Sequence, residues 1–77
     1  MTKVYAEKTV RQAEQRCARA EELAQAGEMR RAYIYIEWAR EAVQQLPTKT
    51  RAERAARAEL GAHIEARAVA RNIVDPY

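Results

Sequence analysis

Cysteine, histidine and tryptophan each occur once in this chain, and phenylalanine not at all. A lone Cys17 excludes an internal disulfide, and with His63 as the only imidazole there is no paired ligand set for a metal. His-x-x-x-His and the di-iron Glu-x-x-His spacing are both missing. Glu59 and His63 do stack at i,i+4, but two groups do not make a metal site. The two glycines, Gly27 and Gly61, lie far apart, so no glycine-rich loop exists to cradle a phosphate. No apolar run is long enough to span a membrane, and the N-terminus lacks a signal-peptide core. The expected setting is therefore the cytoplasm, with Cys17 reduced and no membrane insertion.

Large apolar side chains are also scarce. Among them are Val4, Val10, Leu23, Ile34, Ile36, Trp38, Val43, Leu46, Leu60, Ile64 and Ile73, and most of the remaining apolar content is alanine. Alanine buries little area, and at roughly 25 cal/mol per Å² such a core contributes modestly. A 77-residue chain with neither disulfide nor metal is expected to gain stability from a partner.

What the chain does have is helix-forming residues: abundant Ala, Arg and Glu, with charged residues at 32%. Gly27 marks one helix end and Pro47 another. The reading is a single all-α domain, a three-helix bundle of an antiparallel hairpin plus a third helix. Its helices run over about residues 4–26, 28–46 and 51–73, with a frayed tail at 74–77.

The first helix carries a stripe of small residues at alternating steps of three and four: Ala6, Val10, Ala13, Cys17, Ala20 and Ala24. Cys17 reads as a packing residue within it. Glu7 and Arg11 form an outer i,i+4 pair. The central helix has a core line of Ala32, Tyr35, Ile36, Ala39, Ala42, Val43 and Leu46, with Ile34 and Trp38 on a second apolar line beside it. Tyr35 and Trp38 read as the bulky pieces of an alanine-lined core, and Tyr33 as the surface residue. The same aromatics could instead form a base-stacking platform or a protein hot spot.

Thr50 and Glu53 spell a capping box that opens the third helix, and Glu53 with Arg57 makes an i,i+4 pair. The apolar face there is broad and weak: Ala52, Ala56, Leu60, His63, Ala66, Ala70 and Ile73, with Ile64 at its margin. On this reading His63 is partly buried. Gly61 weakens the helix by about 1 kcal/mol relative to alanine. Arg51, Arg54 and Arg57 recur every three residues, and Arg67 and Arg71 continue the line of Leu60 and Ile64. These arginines are either solvated surface or one wall of a mixed apolar and cationic groove suited to an acidic amphipathic peptide.

The segment Ala20, Leu23, Gly27, Ala32, Ile36 and Ala39 resembles a tetratricopeptide hairpin, with Pro47 near the end of the repeat. With a third helix added, Ala20–Arg71 resembles an MIT domain, the three-helix module of trafficking and ESCRT-associated proteins. His63-Ile64-Glu65 stands where that family has Tyr-Leu-acid, and Ala66-Arg67-Ala68 replaces its Arg-Ala-Glu. The resemblance implies a peptide-binding module with a partner helix lying between two helices. Carried over, the groove between the second and third helices would offer Ile34, Trp38, Leu60, Ile64, Arg67 and Arg71 to the partner.

The function expected is thus a non-enzymatic adaptor that docks a peptide or helix of a partner protein, with a homodimer as one way to cover the thin core. No cofactor is expected. The alternative is a small nucleic-acid-binding regulator using the third helix. The net charge of +3 is spread as +1 over residues 1–26, 0 over 27–47 and +2 over 48–77, which is no basic stripe.

Overall fold

A computed structural model describes the backbone of residues 2–76 and the side chains of residues 6–76. The Val4 side chain and Tyr77 lie outside the described residues. The chain forms an all-α three-helix bundle: α1 (Thr2–Gln25), α2 (Met29–Gln44) and α3 (Arg51–Ala70). The α1 and α2 helices form a closely packed hairpin, and α3 lies along it with fewer contacts to either.

The turn between α1 and α2 is built on Gly27, whose φ of 84° lies in the left-handed region. There the Gly27 N–H donates to Ala24 O and the Glu28 N–H to Leu23 O at 2.9 Å, which satisfies the last carbonyls of α1. The start of α3 is equally explicit. Thr50 Oγ1 accepts from the Glu53 N–H at 3.1 Å while the Glu53 carboxylate accepts from the Thr50 N–H at 2.9 Å.

Of the small-residue stripe of α1, Ala13, Cys17 and Ala20 are fully buried while Ala6, Val10 and Ala24 are partly buried, and Leu23 beside the stripe is nearly covered. Burial pushes the Cys17 thiol up, in keeping with a packing role. The core line of α2 is equally covered, with Ala32, Ile36, Ala39 and Ala42 at 0% exposure.

Four expectations need correction. The third helix stops at Ala70 because Asn72 adopts φ 57°. The Asn72 N–H then donates to Val69 O and the Ile73 N–H to Ala68 O, folding Ile73 back onto the core at 3% exposure. Secondly, the inward face of α3 is not the alanine line: Ala52, Ala56, Ala66 and Ala70 are exposed, and so is His63. Alanine occurs on every side of α3 and gives no direction, so Ile64 and Ala68, both buried, set the orientation. Thirdly, Tyr33 and Trp38 exchange roles. Tyr33 packs partly buried against the core, whereas Trp38 is 45% exposed. Finally, Glu53 is committed to the cap, and the Glu53–Arg57 ion pair does not form; no ion pair joins Glu7 to Arg11 either.

Candidate functional site

Two small residues of α3 leave space beside α2. Ala58 and Gly61 bring almost no side chain to the interface, and a Cβ built on Gly61 would still lie 3.8 Å from Val43 Cγ1. The result is a groove of about 730 Å³ between α2 and α3. Val43 and Ile64 form its apolar floor, with Ala58 and Gly61 on the α3 side.

The groove is cationic at its rim. Arg54 is steadied from below by two main-chain carbonyls, Thr48 O at 3.0 Å and Lys49 O at 3.3 Å. Arg57 is half-buried in the lining and has no ion-pair partner among the described residues. At the opposite end Arg40 reaches across from α2 to grip Glu65 with two hydrogen bonds, at 2.6 and 2.9 Å. The Arg40 guanidinium also lies 5.8 Å from the Tyr33 ring centre. Hydrogen bonding from Arg40 holds the Glu65 carboxyl below the usual carboxylate range. One end of the groove is therefore neutralised, and the end near the α2–α3 loop keeps its positive charge.

The six residues proposed from the sequence do not share one surface. Ile64 is fully buried beneath the groove. Leu60 faces the other side of α3, in a shallow depression with Val10, Glu59 and His63. Arg67 grips Glu21 of α1, its Nε at 3.1 Å from one carboxylate oxygen, so it ties α3 to the hairpin. Its hydrogen bonds are the leading cause of the lowered Glu21 carboxyl, and Arg71 adds to the local positive field. Ile34 and Trp38 lie on the outer face of α2, toward α1 and away from α3. Arg16 of α1 donates to Trp38 O at 3.0 Å and places its guanidinium 5.9 Å from the indole ring centre. The Tyr35 ring meets Trp38 edge-on at 5.1 Å.

Of the six, then, only Ile64 belongs to the α2–α3 groove. Sequence reading missed Val43, Arg57 and Gly61 as its lining. Gly61 was the available signal, since a glycine inside a helix often marks a place where bulk is excluded.

Among the described residues no three His, Cys, Asp or Glu side chains converge as a metal would require. No helix among them is long and apolar enough to cross a membrane. Comparison with known proteins finds no matching family model, no matching curated protein and no matching solved structure, so a functional reading rests on the groove's own residues.

Proposed function

We propose that the chain is a protein-interaction module whose α2–α3 groove holds an acidic amphipathic helix of a partner protein. The observation that carries this reading is Arg57, a half-buried guanidinium with no carboxylate partner among the described residues, beside an apolar floor. A cation partly withdrawn from water and left unpaired favours an incoming anion, because each loses hydration that the other replaces. Ala58 and the exposed edge of Val43, over the buried Ile64, would take the apolar face of the helix, and Gly61 would let its backbone approach. The resemblance to an MIT domain implies the same mode of binding, between two helices.

Selection from a display library of random helical peptides tests this. Enriched peptides should combine apolar residues at i and i+4 with acidic residues at one end. Their binding should fall by at least tenfold, or roughly 1.4 kcal/mol, in Arg57→Glu and in Gly61→Leu, which fills the floor. Peptides that bind equally well to both variants would place docking elsewhere. A duplex DNA probe that binds tightly, with steep loss in salt, would favour a nucleic-acid partner instead.

A further inference from the structure

Outside the groove, the outer face of α2 carries two large apolar side chains that the fold does not bury. Ile34 is 49% exposed and Trp38 45%, one turn apart on the same side of the helix. Single exposed apolar residues are ordinary, so the pair alone signifies little. Its flanks are more informative. Arg31, Ile34, Trp38, Glu41 and Gln45 are spaced by three, four, three and four residues, and all are exposed. At 100° per residue they share an arc of about 80°, the seam geometry of paired helices.

The seam is self-complementary in one orientation. Positions 31 and 41 share the midpoint 36, and so do positions 34 and 38. A second copy of α2 laid antiparallel about a two-fold axis at that midpoint puts Ile34 against the partner copy's indole, twice. It also puts Arg31 against the partner copy's carboxylate at position 41, twice. A parallel pairing in register would set Arg31 against Arg31 and Glu41 against Glu41, so the charges choose the antiparallel arrangement. Among the described residues Arg31 pairs with Glu28 at 3.2 Å, an exposed i,i+3 contact that can be exchanged at little cost. Arg16 stacked at the indole and Tyr35 at its edge leave Trp38 already positioned, so little side-chain freedom is lost on docking.

We infer that the protein forms a two-fold symmetric dimer through the outer face of α2, with Ile34 and Trp38 at the centre and Arg31–Glu41 pairs at both ends. The seam spans one helix of 16 residues, so the dimer is a weak one that forms and dissociates with concentration. It lies on a different face from the α2–α3 groove and does not depend on what the groove holds.

Sedimentation equilibrium over a dilution series tests the inference, with the emission of the single tryptophan recorded in parallel. The mass should rise from one chain toward two with concentration, and the emission maximum should move to shorter wavelength as the indole loses water. Arg31→Glu and Glu41→Arg should each weaken the dimer by about tenfold or more, and the double variant R31E/E41R should restore it, with far-UV circular dichroism unchanged throughout. Gly61→Leu should leave the dimer intact, which separates this seam from the groove. The inference is overturned if the protein stays a single chain at every concentration, or if it dimerises indifferently to both charge reversals. It is also overturned if the double variant fails to recover while remaining helical, or if Gly61→Leu abolishes the dimer.

Discussion

Gly61 sits inside α3 with ordinary space around it. A methyl group at that position meets only Val43 Cγ1, at 3.8 Å, which is normal van der Waals contact. Glycine in a helix interior forfeits backbone entropy without a geometric need for it here, because its φ is not in the left-handed region. Gly61→Ala is therefore expected to stabilise the fold by about 0.5–1 kcal/mol, raising Tm by roughly 2–8 °C in thermal melts. Gly27 behaves in the opposite way. Its φ of 84° strains any residue with a side chain although the space around it is open. The two glycines look alike in composition, yet one is a turn device and the other is bulk left out. Their surroundings tell them apart: Gly27 follows a long periodic segment, whereas Gly61 interrupts one.

At the scale of the helix, α3 is the element held least firmly. Two of its side chains, Ile64 and Ala68, are buried, against five in α2. Further attachment comes from the partly buried Leu60, from Arg67 to Glu21 and Glu65 to Arg40, and from the return of Ile73. Hydrogen exchange should show α3 amides losing protection before those in the middle of α1 and α2, with a separate, lower opening free energy. Equal protection across all three helices would contradict this. The existence and order of the helices were legible in the sequence because Gly27, Pro47 and the Thr50–Glu53 box are explicit punctuation. The direction of α3 was not, since alanines on all its sides cancel the periodic signal and leave Leu60 and Ile64 to speak alone. A groove between the second and third helices was expected from the resemblance, but most of its lining was not legible, for a related reason: it is made of what Ala58 and Gly61 do not contribute, and pattern counting registers only what is present. The end of α3 hid in Asn72, which tolerates the left-handed conformation less readily than glycine and is a weaker stop signal.

At the scale of the molecule, two arginine–carboxylate clasps among the described residues join different helices, and both carboxyls are lowered from their ordinary value of 4.5 by hydrogen bonds from arginine. A carboxyl that ionises more readily when folded stabilises the fold at pH above its unfolded pKa. That contribution is lost as pH falls from about 4.5 through the lower folded value. Tm should be nearly level over roughly pH 5–7 and decline on further acidification. The double variant Glu21→Gln with Glu65→Gln should start lower and decline less, as circular dichroism melts across the range would record. Both clasps are partly exposed, Arg40 and Glu65 the more so, so solvent and salt weaken the effect and added salt should flatten the slope.

The covered alanines of the hairpin have a consequence for how this sequence can vary. Ala13 and Ala20 of α1 and Ala32, Ala39 and Ala42 of α2 are each at 0% exposure in the core that this closely packed hairpin shares. In most interiors the damaging change is a trimmed side chain that leaves a hole. Here almost nothing remains to trim, so hazard lies in growth: a branched or aromatic newcomer must prise two helices apart. Drift at these five positions is walled on one side, and the hairpin can gain bulk only where it faces the groove, its own outer seam or open water.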